Sequence, residues 1–280
     1  MVGQYGNNIL YHYTDFQAFD GILGCAQLRV NNVLRMNDAA EMRHFMARLS
    51  SAIAKRMENT GRGEHARAVR ALFQEELQKE YSAFAACFSF RRDDAAQWER
   101  YGNGGRGVCI AFYGDLLRKM AVGPLSLHTV FYEDDMTGHP MVDRFCGLME
   151  GKDALTGEDA DIQLAMRDAW ACSVAFKHPS FSSEDEVRLV VSPFGSEAFD
   201  IKPCYHVSKE RIKNYYPLDL REMCQNIGTA LEDLVAEIII GPESTQSRVI
   251  LQDYLSSLGL ESLADRVSLS DCPLRGMPKE

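Results

Sequence analysis

Two glutamates two residues apart, Glu184 and Glu186, stand in the stretch FKHPSFSSEDEVRLVVS, Phe176 to Ser192, just ahead of an apolar run that only Arg188 interrupts. If a strand starts at Glu184, its side-chain period of two puts Glu184, Glu186 and Arg188 on one face. Such a face can hold a carboxylate against a developing positive charge, or it can carry a solvated ion pair that contributes little. Lys177 and His178 precede the glutamates on a Ser-rich turn and read as surface or pyrophosphate-facing groups.

Two further sets of polar and aromatic residues accompany this one. Ile9 to Thr14, ILYHYT, reads as a short strand that delivers His12 and Tyr13 to a strand-to-helix turn, with Thr14-Asp15 as the cap. Phe88, Trp98 and Tyr101 form an aromatic group in the middle of the chain. A histidine, flat aromatic rings and a carboxylate delivered by strands suit cleavage of an N-glycosidic bond. Loss of nicotinamide from NAD leaves positive charge on the ribose, which a carboxylate stabilises while holding the 2′-hydroxyl. Aromatic rings sandwich nicotinamide, a histidine hydrogen-bonds the other ribose, and the neutral leaving group needs no general acid.

Other chemistries lack their residues. There is no Gly-x-Ser-x-Gly and no cysteine in a recognisable nucleophile setting. The seven histidines show no i, i+4 pairing of the kind that marks a helical metal site, so no metal is expected. No Gly-x-Gly-x-x-Gly follows a strand. The glycine-rich run Gly102 to Gly107, GNGGRG, leads from helix to strand, the wrong order for a phosphate cradle.

The elements that must position these residues alternate irregularly. Gln27 to Asn31 reads as a strand with Leu28 and Val30 on one face and Arg29 on the other. Asn37 or Asp38 caps a helix whose Met42, Phe45, Met46 and Leu49 recur at core spacing, and His65 to Lys79 is a second amphipathic helix. Ser82 to Phe90 is a buried strand, Asp93 or Asp94 starts a short helix through Trp98 and Tyr101, and Val108 to Phe112 is a second buried strand. Leu125 to Tyr132 reads as a strand. Met141 to Phe176 is mostly helical, with Asp159 or Asp161 as a cap. Asp200 to Ser208 is an edge strand, because Pro203 cannot donate to a ladder. Leu218 to Leu234 reads as helix, Val235 to Gly241 as strand, Gln246 to Leu258 as helix and Arg266 to Leu269 as a last strand, before a loose tail from Cys272. About seven short strands without strict βαβ alternation point to an α+β fold.

Composition limits the setting. With 280 residues and 46% hydrophobic content the chain can bury a full core in one domain, residues 1–280, carrying helical insertions at about 38–80 and 136–175. A formal charge of −10 without a basic run disfavours a broad nucleic-acid surface. Eight cysteines without Cys-x-x-Cys spacing read as free, buried thiols in a reducing compartment. No segment has the ~18 apolar residues of a membrane span, and no secretory signal starts the chain, so a cytoplasmic protein without membrane association is expected.

The segments LYHYTD, NDAAE, CFSF with QWERYGNGGRGVCIAF, VFYED, FKHPSFSSEDEVRLVV and EIIIGP, in that order from Leu10 to Leu258, resemble the bacterial family called domain of unknown function 2971. That family in turn resembles the ADP-ribosyltransferase superfamily, which implies a split β-sheet sandwich binding NAD in its cleft. By that resemblance His12, Tyr13 and Thr14 match a His-x-Thr signature. His12 would bind the adenosine-side ribose, Tyr13 would hold the nicotinamide amide through its backbone, and Thr14 would be structural. Glu186 takes the catalytic position and Glu184 the one that orients or activates an acceptor. Ser89, Trp98 and Tyr101 are the candidates for the middle signature. Two departures stand out: a Tyr between His12 and Thr14, where the superfamily has a small residue, and the long helical insertion.

The expectation is an NAD-consuming ADP-ribosyltransferase that transfers ADP-ribose to a protein or nucleic-acid acceptor. By resemblance its setting is bacterial conflict, as a phage-defence protein, toxin or effector. An NAD glycohydrolase and an inactive module binding a nucleotide or partner are the alternatives.

Overall fold

Buried and half-buried positions along ILYHYT make β1 (Ile9–Thr14) the strand that its residue types predict. Asp15 accepts from the Ala18 amide and caps α1 (Phe16–Phe19), which runs on as a π-turn, Asp20–Gly24. The computed structural model describes residues 9–33, 39–79, 81, 83–150, 159–191, 202–207 and 212–274. After β2 (Gln27–Asn32) come α2 (Ala39–Asn59), α3 (Gly63–Glu76), β3 (Phe84–Ser89), α4 (Ala95–Arg100), β4 (Val108–Tyr113), α5 (Gly114–Met120) and β5 (Leu125–Thr129). Next are α6 (Pro140–Leu148), α7 (Ala160–Ser173), a 3-10 turn (Pro179–Glu184), β6 (Glu186–Val191), β7 (Cys204–Val207) and β8 (Ile212–Asp219). The chain continues through α8 (Leu220–Asn226), α9 (Leu231–Leu234), β9 (Val235–Ile240), α10 (Arg248–Ser257), α11 (Glu261–Ala264) and β10 (Val267–Leu269).

The architecture is mixed α+β, with ten strands among the described residues in one large open sheet. Its order is β10-β9-β4-β1-β3-β2-β8-β7, with β6 on β3 and β5 on β6. β3 is the branch point. One of its edges pairs along its whole length with β6, from Phe84↔Val191 to Ser89↔Glu186. The other edge is divided: β2 takes Phe84 and Ala85, and β1 takes Ser89. Between them, at Ala86, Cys87 and Phe88, neither strand is in register and the sheet opens.

Helices cover both faces. On one face Leu10, Val30, Phe88, Ile110 and Leu189 pack with residues of α5 and α8 to α11. On the other, Ala85 and Val190 meet α2, α3, α6 and α7, so the two helical insertions form a single layer. Met42, Phe45, Met46 and Leu49 are all buried in that layer, each stabilising by about 1.5–3 kcal/mol through removal from water. A third cluster, under α4, holds Tyr11, Tyr13, Trp98 and Ile239.

Several expectations are corrected. Leu218 to Leu234 is not one helix: β8 runs to Asp219, which caps α8, and Gly228 at φ 70° separates α8 from α9. Pro217 sits inside β8 opposite Arg29, at a point where the pairing with β7 has already ended, so no ladder bond on that side is lost. β7 is an edge strand, as Pro203 suggests. Ser270 and the Asp271 amide are tied to Asp93, so the start of the tail is anchored; residues 275–280 lie outside the described residues, as do Asn37 and Asp38. All eight cysteines are free, but Cys25 and Cys172 are exposed rather than buried. No helix among the described residues is long and apolar enough to cross a membrane.

Candidate functional site

The Ser-rich stretch folds back before it becomes a strand. His178 accepts the Ser180 amide at Nδ1 (3.2 Å) and caps the 3-10 turn, with Pro179 at its first position. Asp185 then adopts the left-handed conformation, φ 48° and ψ 53°, and only at Glu186 does β6 begin. The expected strand start at Glu184 is therefore wrong by two residues. Ser89 Oγ (2.5 Å) and Gln97 Nε2 (3.2 Å) both donate to the Glu184 carbonyl, and the Glu186 amide donates to the Tyr132 hydroxyl at 2.9 Å. These bonds hold the corner in place.

The corner lets both carboxylates reach one ammonium. Lys177 Nζ lies 2.5 Å from Glu184 Oε2 and 3.2 Å from Glu186 Oε2, and its side chain is only 3% exposed. The surface reading of Lys177 is thus corrected: its charge is buried because two carboxylates surround it. Glu186 also takes a two-pronged contact from Arg188, Nε to Oε1 at 2.9 Å and Nη2 to Oε2 at 3.0 Å, as their shared face predicts. Arg188 Nη1 donates to the Val174 carbonyl at 2.8 Å, and Nη2 lies 3.7 Å from Glu41. Glu184 Oε1 accepts from Arg100 at 2.7 Å and from the Tyr101 hydroxyl at 3.1 Å. Burial alone would raise the Glu186 carboxyl, but the charge and hydrogen bonds of Arg188, aided by Lys177, outweigh it and hold the group below the ordinary carboxylate range. Burial pushes the Tyr101 and Tyr132 hydroxyls up, so both stay protonated.

Across the opening in the sheet stands His12. Its Nδ1 is 2.8 Å from the Cys87 carbonyl, an oxygen that can only accept, so Nδ1 carries the proton and Nε2 presents a lone pair. Burial lowers the His12 pKa, outweighing the opposite effect of that hydrogen bond, and the ring is neutral at pH 7. A cleft of about 590 Å³ fills the opening. His12, Tyr13, Thr14, Tyr101, Glu184 and Glu186 all line it, together with Lys177, Arg100, Arg29, His206 and Lys213.

Two candidates point elsewhere. Trp98 is fully buried and does not line the cleft; its ring meets Tyr13 edge-on at 4.8 Å and its N–H donates to Asp93 at 2.7 Å. Ser89 is buried and its hydroxyl is spent on Glu184. The Tyr13 side chain is likewise committed, donating to the Arg91 carbonyl at 2.7 Å and accepting the Asp94 amide at 3.1 Å. Of the candidate rings, Tyr101 is the one that is 44% exposed and borders the cleft. Sequence reasoning missed Arg100 and Tyr132 and undervalued Lys177. Their only signal is that Lys177 follows the apolar VAF.

With this geometry in view, the class is an α+β protein with a buried carboxylate–cation cluster at a break in its sheet. The family model described as "Protein of unknown function (DUF2971)" matches residues 97–189. The matched segment carries α4 from Gln97 onward, the 3-10 turn, Glu184 and Glu186, and bears out the resemblance to that family; His12 lies outside it. No curated protein and no solved structure matches the chain.

Proposed function

We propose that the protein is an NAD-consuming ADP-ribosyltransferase with an ADP-ribosyltransferase-like split sheet. The observation that carries this reading is the placement of neutral His12 and ionised Glu186 in one cleft where β1 and β3 part. The cleft's volume suits a ligand of dinucleotide size. His12 Nε2 accepts a ribose hydroxyl, and the Tyr101 ring offers a face to a flat heterocycle. Arg29, His206 and Lys213 place cationic or donor groups in the cleft for a pyrophosphate.

In this reaction the glycosidic carbon–nitrogen bond breaks, its electron pair leaves with neutral nicotinamide, and positive charge remains on the ribose. Glu186 faces that charge. The acceptor's nucleophile then bonds to the same carbon and gives its proton to solvent water. Glu184, bridged to Glu186 by Lys177, is the group that orients the acceptor.

One observation favours a second reading, a module that binds NAD without cleaving it. Both Glu186 oxygens already take N–H donors, and the charges of Glu41, Glu184, Glu186, Arg100, Lys177 and Arg188 sum to zero. Incubation of the purified chain with NAD labelled on the adenosine side separates the readings. Nicotinamide release with label on a macromolecule supports the transferase, release with free ADP-ribose supports a glycohydrolase, and bound, intact NAD supports the binding module. Within the first two outcomes, Glu186→Gln releasing nicotinamide as fast as the unaltered chain refutes Glu186 as the catalytic carboxylate.

A further inference from the structure

Behind the wall formed by Arg100, Tyr101, Lys177 and Glu184 lies a second cavity, of about 600 Å³, whose lining includes His44 and His178. These two histidines are 134 residues apart in sequence, 178 minus 44, and no local spacing joins them. They come from the first half of α2 and from the cap of the 3-10 turn. Asp134, in the connection between β5 and α6, completes the group: one ligand atom from each of the three lies within 4.8 Å of the others.

Two contacts shape this group, and the second places a positive charge at it. The His44 ring stacks on buried Phe176, centroids 5.8 Å apart and planes at 24°, which fixes its orientation. Arg48, one turn further along α2, donates Nε–H to His44 Nε2 at 3.2 Å and brings Nη2 to 3.3 Å from Asp134 Oδ1. His44 Nε2 therefore presents its lone pair, and it does so towards the same cation that Asp134 faces, 3.6 Å from the Asp134 oxygen. A guanidinium satisfies these two groups but reaches no third. A metal ion at that point engages His178 as well, after rotations that shorten the ligand separations by roughly an ångström towards those of bonds near 2.0–2.2 Å.

We propose that His44, Asp134 and His178 bind a divalent first-row transition ion. Two imidazoles and one carboxylate suit zinc, cobalt, nickel or iron rather than magnesium or calcium, and leave positions for water. The ion displaces the guanidinium of Arg48, whose side chain is 43% exposed and free to swing into solvent. Ligation by either nitrogen of His178 also gives up its acceptance of the Ser180 amide, so the ion competes with the cap of the turn that ends in Glu184. The proposal stands independently of any reaction in the larger cleft.

The test is titration of the full chain with Co²⁺, followed by visible absorption and calorimetry. One equivalent with the spectrum of nitrogen and oxygen ligands is expected. His44→Ala and His178→Ala each weaken binding at least about tenfold, the lower range for losses around a metal site. Arg48→Ala tightens it, a gain that misfolding cannot produce. A thiolate charge-transfer band, which would put the ion on a cysteine, overturns the proposal. So does His178→Ala binding as tightly as the unaltered chain, or Arg48→Ala bringing no gain.

Discussion

Two arginines in this protein grip a glutamate with two prongs, and their settings differ. Arg188 and Glu186 lie inside, with side chains 1% and 7% exposed, and they share their charges with Lys177 and Glu41. Arg92 and Glu237 meet across the turn after β3 and strand β9, with contacts of 3.1 and 2.9 Å but side chains 48% and 25% exposed. The distances are alike and the energetics are not. Water screens the outer pair and leaves it weak, whereas the inner pair has given up its hydration and depends on complete mutual compensation. Geometry alone does not rank ion pairs; the loss on removing one partner does.

The largest effect is expected from Arg188→Met. It strips Glu186 of two hydrogen bonds and leaves a buried carboxylate short of charge, costing about 3–5 kcal/mol in denaturant unfolding; a loss below ~1 kcal/mol would place the inner pair in the class of the outer one. Lys177→Met should cost less, about 1–3 kcal/mol, because Glu184 keeps Arg100 and Glu186 keeps Arg188. If Lys177→Met proves the more damaging of the two, the ammonium rather than the guanidinium is the centre of the cluster.

The third prediction concerns pH. His12 has a folded pKa below its unfolded value, so the unfolded chain binds more protons as pH falls below about 6.5. The stability that neutral His12 contributes is whole above that pH and is lost as pH drops towards the folded pKa. His128 and His139, also lowered by burial, act in the same direction. The melting temperature should therefore fall from pH 7 to pH 5, and His12→Gln should flatten the slope; an unchanged slope would show that His12 does not titrate differently in the two states. The smallest effect belongs to Arg92→Ala, within about 1 kcal/mol and shrinking further in high salt. A salt-insensitive loss of several kcal/mol there would erase the contrast between the two pairs.

The sequence made much of this readable where one local rule decided the outcome. β1, β4 and β9 follow from short runs of β-branched and aromatic residues, β2 from Leu28 and Val30 alternating with Arg29, and the Met-aromatic stripe of α2 from its helical period. β8 was obscured by Pro217, whose tolerance depends on where a neighbouring strand stops. Glu186 and Arg188 on one face followed from period two. Lys177 as the hub did not, because it requires the turn between Phe176 and Glu186 to fold back, a tertiary event with no local signal. Nor could spacing show that Trp98 faces Tyr13 while Tyr101, three residues on, faces the cleft.

The left-handed Asp185 sets a length scale. In a continuous strand Glu184 and Glu186 would stand about 6.6–6.8 Å apart along one face, two steps of the pleat, side by side in one row. Turning the chain at the intervening residue folds that span over, and both carboxylates meet one Lys177. The Glu-x-Glu of this chain is thus a hinge with two jaws rather than a row on a strand. Its middle position favours Gly, Asn or Asp, the residues that enter the left-handed region at least cost, so the residue with no part in the cluster fixes the gap that the cluster spans.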